Sequence, residues 1–588
     1  MSSNRFLISS LVDFPDDCSN IAFTPELLED LIERLHWMGV RRVYWNYYQE
    51  GIWPWYIRHS PAGTRPTLEN LGEPMALGRR LSHKHGMEFY AVIKPFETGL
   101  SLTTPPGSLS LLDDPGIAGI GGNYHVDDWV ARHPELRVRA RTADVPVGLE
   151  SIPVTHIQLR QKDMSPIRIR PQNIQIWTSE DNTLYRKKDV AFSVSEDVDN
   201  CPRDVMEQNG NSVTCQGESV RVLNLTGMSL LDPFIVVTTD FDDDTGTFRN
   251  TAKEMVRAFG PGDEPLPIVV ASQKGVWRPQ RDLRTGDLQY DGGLGDVIVC
   301  LDVSNSAAEF PGWEGSGSNT RDGVVAFAKG RNQYLSGALC EAYPQVQDFW
   351  MGWVGECVAA GVDGMDVRIS CHSSWTDWPD SFGFNEPVVG EYKRRHGINP
   401  DVEDFDRDLI GDVRGDFFDQ FLRRAKHRLK AAGKSFQLHL EVESFRPDAC
   451  QSRWRTRPGN LNFHWRRWLR SGLADEVTLF GRGWTPERIL DDALAKEMIA
   501  EANASNVPVH LSKQVMLTAF HGDDAREGNQ LADWLDLAYR SGDLAGYTFY
   551  ETAGLYDCEN IGSDGKLQFH PGVLESIRNR AESLGLLN

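Results

Sequence analysis

Two hydrophobic periods alternate along most of this chain. From Pro344 the apolar residues Val346, Phe349, Trp350, Trp353, Val354, Cys357 and Val358 recur at helical spacing, and 361–370 (GVDGMDVRIS) then switches to a period of two. Asp366 and Arg368 fall on one side of that predicted strand, Met365 and Val367 on the other. Similar helix-then-strand units recur. Thr24 and Pro25 open a helix as N-cap and first helical residue, with Leu27, Leu28, Leu31, Ile32 and Leu35 as its apolar face. Gly39 ends it, and 40–48 (VRRVYWNYY) follows as a strand. Further pairs are a helix at 74–85 with a strand at 88–96, 404–432 with 435–444, and 460–471 with 476–481. Helices at 486–504 and 528–541 precede strands at 507–512 and 545–551, and a last helix falls near 572–584. With one strand expected between 322 and 340, these make about eight βα units, which predicts an α/β fold, the (β/α)8 TIM barrel.

Residues 137–320 break the alternation. Short β-like runs (THIQLRQ, IRIRPQNIQIWTS, DVAFSVSED, VRVLNLTG, FIVVTTDFDDD) are separated there by Gly, Pro, Asn and Asp. The expected organisation is barrel over 1–136, an inserted antiparallel β-sandwich over 137–320, and barrel again over 321–588.

Composition narrows the function. A length of 588 residues exceeds one ordinary core, in keeping with a large domain plus an addition. A net charge of −23 argues against nucleic acid or an anionic membrane as partner. Nine cysteines, an odd number without a CxxC pair, do not read as a disulfide framework or a zinc site. The opening MSSNRFLISSLVDF lacks a signal-peptide h-region, so a cytoplasmic location is expected, or a secreted one if a leader was removed. Asp240 and Asp242 to Asp244 read as a solvated turn before a calcium site, and GGLGD at 292–296 as a turn, not a phosphate cradle. No metal and no cofactor are expected.

Several motifs occur together: Ile93-Lys94-Pro95, His133-Pro134-Glu135, Ala342-Tyr343-Pro344-Gln345-Val346, Val362-Asp363-Gly364 and EYKRRHGINPD at 391–401. Their order resembles the glycosyl-hydrolase-like family 10 proteins, over roughly 20–135 and 335–555. The resemblance implies a barrel glycosidase with a carbohydrate as its partner. Such families commonly carry Asp four positions beyond the glycine of V-D-G; here that position is Arg368, and the acid, Asp366, comes two earlier.

Glycosidic bond cleavage usually needs two carboxyl groups. On the strand 435–444 a wholly aliphatic face (Leu438, Leu440, Val442) opposes Gln437, His439, Glu441 and Glu443. Glu443, nearest the carboxyl end, is the expected acid/base, Glu441 its hydrogen-bonding partner, Asp366 the second carboxylate and Glu551 a third. Asp475 and Glu476 sit at the amino end of their strand and are discounted. Substrate contacts are expected from Arg368, His439, Lys94 and His372. Aromatic platforms are expected from Trp45, Tyr47, Trp53, Trp55 and Tyr56, from Trp375 and Trp378, and from Trp484. The expected activity is that of a glycosidase on a small glycoside; the rivals are a non-catalytic carbohydrate-binding barrel and a carbohydrate lyase or isomerase using Lys94 or His439 as base. Self-association into a homo-oligomer is left open.

Overall fold

The computed structural model describes residues 6–18, 21–48, 53, 61–98, 127–144, 148–161, 168–180, 186–200, 205–206, 212–213, 217, 219–239, 256–270, 324–329, 333–369, 379–446, 458–481, 484–515 and 528–587. Eight parallel strands close into a barrel: β1 (Leu7–Val12), β2 (Arg42–Tyr48), β3 (Glu88–Ile93), β4 (Gly364–Arg368), β5 (Ser435–Glu441), β6 (Glu476–Phe480), β7 (Val509–Gln514) and β8 (Gly546–Tyr550). This is the expected (β/α)8 architecture.

Two strands differ from expectation. The barrel begins at Leu7–Val12, which pairs with β2 on one side and β8 on the other. Its LISSLV pattern is broken by two serines, yet both hydroxyls are buried and donate to β8 carbonyl oxygens, Ser9 to Tyr547 at 3.3 Å and Ser10 to Phe549 at 3.2 Å. Hydroxyls satisfied in this way sit in a core at little cost. Conversely, no described segment between 322 and 340 enters the barrel. Val324–Lys329 pairs with Phe234–Thr239 in the inserted region, and Tyr334–Leu339 forms a two-stranded ribbon with Arg137–Arg139.

Two antiparallel five-stranded sheets lie between β3 and β4 in sequence. Ile157, Leu159, Leu223 and Leu225 of one sheet and Ile176, Ile235, Val237 and Phe327 of the other share one hydrophobic cluster.

The helices form because the predicted caps and faces are real. Thr24 Oγ1 accepts from the Leu27 amide at 3.3 Å, Pro25 opens Pro25–Met38, and Gly39 closes it at φ +113. Its residues Leu28, Leu31, Ile32 and Leu35 are fully buried, each contributing about 2 kcal/mol of apolar burial. Pro344–Ala360 ends likewise, on Gly361 at φ +80.

Alternation sends β-strand residues two ways. Val43, Trp45, Phe89, Met365, Val367, Leu438, Leu440, Val477, Leu479, Leu511, Tyr547 and Phe549 join the core beneath the helices. A separate cluster of Leu11, Tyr44, Tyr90, Val92, Phe480 and Tyr550 fills the barrel itself. Register sets Asp366 opposite Gln437, Arg368 opposite His439, and Glu441 opposite Phe480. In a closed, tilted barrel, alternate strands fill successive interior layers. Going towards the carboxyl ends, the layers are Tyr44, Asp366, Thr478 and Thr548; Leu11, Val92, His439 and Ser512; then Asn46, Arg368, Phe480 and Tyr550. Asp13, Lys94 and Glu441 stand above them.

Candidate active site at the carboxyl mouth of the barrel

The uppermost interior layer carries the chemistry. Glu441 ends β5 and is 1% exposed, yet neither carboxylate oxygen has a hydrogen-bond partner among the described residues. Asp13 follows β1 on the opposite side of the barrel. It stands at the N-cap of the turn Phe14–Asp17, but its side chain does not cap. Its Oδ2 instead accepts from Asn46 Nδ2, on the inner face of β2. Lys94, just past β3, is buried and pairs with Glu97 at 3.4 Å.

Arg368 forms the floor one layer down. Its guanidinium lies over the Tyr550 ring at 4.4 Å and the Phe480 ring at 5.5 Å. Its Nε and Nη1 are buried without a hydrogen-bond acceptor among the described residues. His439 lies beneath, with Nδ1 3.4 Å from Asp366 Oδ2, while His439 Nε2, Asp366 Oδ1 and the Ser512 hydroxyl are buried and unmatched. Buried polar groups are nearly always satisfied, so orphans on successive interior layers of one barrel mark a place where ligand or water supplies the missing bonds.

The structure distributes the expected site residues unevenly. Asp366 and Glu443 do not meet across one acetal. Asp366 pairs with Gln437, Glu441 lies four residues further along β5, about 13 Å, and Glu443 lies beyond the strand's end. Carboxyl pairs that cleave glycosides stand roughly 5–10 Å apart. Asp366 is moreover roofed by the layers containing Arg368 and His439. Glu443 is half-buried, and its neighbour Val442 packs into the helix-side core. Glu551 is buried just after β8, close to Asp17.

Trp45 is a core residue, not a platform. It is 2% exposed, stacks on Phe14 at 4.7 Å, and faces Gly78, where an added Cβ would sit 2.7 Å from its ring. Tyr47 also points to the helix layer, where its hydroxyl donates to Glu356. Both lie in odd phase on β2, and the odd phase faces the helices. Trp53 packs edge-on against Phe14, and Trp484 lies under the guanidinium of Arg488 at 4.1 Å. Trp55, Tyr56, His372, Trp375, Trp378, the Asp240–Asp244 run and the GGLGD turn lie outside the described residues.

Sequence reading missed Asp13, Asn46 and Asp17. The available signal was the alternation Leu7, Ser9, Leu11, Asp13, which marks an acid at the carboxyl end of a barrel strand once LISSLV is accepted as one. Asp17 is fully buried, with the Tyr556 hydroxyl donating to its Oδ1 at 2.5 Å and Thr552 to its Oδ2 at 3.3 Å. Burial pushes its carboxyl up to about 8, with Asp13 and Glu551 adding to the rise and the Tyr556 and Thr552 hydrogen bonds opposing it.

The opposite end of the barrel is held by a charge network, with His510 Nδ1 left unmatched among the described residues. Arg42 donates to Glu88 at 2.7 Å and to Glu476 at 3.1 Å, and His510 Nε2 lies 2.8 Å from Glu476. Burial raises the Glu476 carboxyl, but the His510 and Arg42 hydrogen bonds more than offset this and hold it well below the usual range. Asp475 bonds the Phe436 amide at 2.8 Å. Among the described residues, Asp416, Asp419 and His464 bring ligand-type atoms within 4.8 Å of one another. Arg467 already pairs with both acids there, at 2.8 Å to Asp416, so the group carries its own cation. No described helix is long and apolar enough to cross a membrane.

No protein-family model and no curated protein sequence matches this chain, so the motif-level resemblance to glycosyl-hydrolase-like family 10 stands without a family match. Solved structures do match. The catalytic domain of a beta-amylase from Paenibacillus polymyxa is 6% identical over 99% of both chains, at a TM-score of 0.37. A beta-galactosidase from the psychrophilic Marinomonas ef1 is 8% identical over 98% of this chain and 60% of its own, at 0.39. A noncanonic maltogenic alpha-amylase, AmyB from Thermotoga neapolitana, is 8% identical over 99% of this chain and 77% of its own, at 0.33. The fold itself rests on the closed strand order: the chain is a (β/α)8 barrel.

Proposed function

We propose that this chain is a glycoside hydrolase acting at the carboxyl mouth of its barrel, with Glu441 and Asp13 as the two carboxyl groups. One observation carries the reading: Glu441 is buried at the end of β5 with both oxygens unmatched. Burying a carboxyl group without a partner costs several kcal/mol, a cost a purely structural position has no reason to bear. A group held in this way is open to exchange a proton with a bound ligand. Glu441 protonates the departing glycosidic oxygen. Asp13, oriented by Asn46, acts from the other side on the anomeric carbon or on a water molecule. A carbohydrate is the substrate, and the mouth between β1, β3 and β5 suits a small glycoside.

A panel of 4-nitrophenyl glycosides tests this. Turnover of at least one member is expected, with loss in Glu441→Gln and in Asp13→Asn and survival in Glu443→Gln. Binding without turnover by the unaltered protein would leave a carbohydrate-binding barrel. An unsaturated or mass-neutral product would indicate a lyase or an isomerase.

A further inference from the structure

We propose that Arg368 grips a carboxylate of the substrate, so that the sugar held between Glu441 and Asp13 is a sugar acid. The proposal rests on the glycosidase reading of the same mouth and extends it to a substrate class. Its first support is a contrast within the fold. Arg42, at the far end of the barrel, donates to Glu88, Glu476, Tyr44 and Gln437. Arg414, fully buried, is held bidentately by Glu341 at 2.7 Å and 2.7 Å and also reaches the Asn460 carbonyl at 3.3 Å. Arg368 is 5% exposed, yet makes no ion pair and no hydrogen bond to any described residue. Arg42 and Arg414 thus have every guanidinium nitrogen engaged, and the buried Arg160, though its Nη1 is unmatched, still pairs with Asp199 at 2.9 Å; of these four, Arg368 alone is left open.

The second support is chemical. Guanidinium offers donors only, and its charge persists at every working pH. The two rings against it, Tyr550 and Phe480, lie 5.3 Å from each other on one side of it and accept nothing from its N–H groups. A sugar hydroxyl would meet one N–H and leave the buried charge uncompensated, whereas a carboxylate meets both. The third support is position. Arg368 lies one layer beneath Glu441 and Asp13, facing a ring seated between them. Lys94, a second cation of the mouth among the described residues, is engaged by Glu97 at 3.4 Å.

Calorimetric titration of Glu441→Gln with D-glucuronate, D-galacturonate, D-glucose and D-galactose tests the proposal, together with turnover of the matching 4-nitrophenyl pairs by the unaltered protein. At least one acid should bind tenfold or more tightly than its neutral counterpart. Arg368→Gln should erase that ratio, and Arg368→Lys should retain part of it. The acid-to-neutral ratio in unaltered Arg368 protein needs no variant, so a misfolded Arg368→Gln leaves the test decisive. Equal binding of acid and neutral sugars, no binding of either acid, or a ratio unchanged in Arg368→Gln would overturn the proposal; turnover of neutral glycosides would then leave the hydrolase reading intact. Preferential acid binding with no turnover of any glycoside would uphold the anion site and remove the hydrolase reading.

Discussion

Replacing the carboxyl group of Glu441 separates two kinds of buried residue. A buried carboxyl group without a partner opposes folding, so Glu441→Gln should melt at or above the temperature of the parent while kcat falls by about a thousandfold or more. A drop of several degrees in melting temperature with activity retained would sink the assignment. Asp17 gives a pH-dependent counterpart. The folded chain keeps a proton on it up to about 8, whereas the unfolded chain releases one near 3.8. Across that window each pH unit costs the parent about 1.4 kcal/mol that Asp17→Asn does not lose. Urea unfolding at pH 5 and pH 7 should therefore show the variant gaining about 2–3 kcal/mol relative to the parent. A difference that stays constant with pH would mean that Asp17 is ionised when folded. At this scale Glu441 was legible, because an aliphatic face opposed a polar one. Its rank below Glu443 was a matter of where β5 ends, which side-chain alternation does not mark.

Strands and helices explain why Trp45 and Tyr47 are not the platforms expected of them. Trp45 and Tyr47 lie after the helix Pro25–Met38 in a run dense in rings, a composition that suits a sugar cleft and a helix-covered strand equally well. Phase decides between them: the even positions Arg42, Tyr44 and Asn46 face the lumen, and the odd positions face the helices. Trp45→Ala should accordingly cost about 3–5 kcal/mol of stability, read from urea midpoints, and leave KM unchanged in whatever folds. A raised KM at unaltered stability would restore the platform. Glu476→Gln should behave like a structural break, losing about 3 kcal/mol with kcat unaffected, since it removes the charge that Arg42 and His510 share at the amino end. The depressed Glu476 carboxyl has the opposite sign to Asp17: its contribution is present above the ordinary carboxylate range and fades as pH falls below it.

For the whole molecule, closure is the decisive property. β1 pairs with β2 and β8, so deleting residues 1–12 would leave two unpaired edges on a seven-stranded sheet. Such a protein should lose its cooperative thermal transition and aggregate; a single sharp melt near that of the parent would show that the barrel stands without β1. The sequence alone determined the βα rhythm, the helix caps and the polar face of β5, because these follow from local sterics and from periods of 3.6 and 2 that any stretch of chain displays. Tertiary structure alone decided which strand comes first, that Val324–Lys329 belongs elsewhere, and that Asp13 and Glu441 share a layer while Asp366 lies below. Those outcomes depend on the stagger with which eight strands close into a cylinder, a property of the assembled ring that no single strand carries.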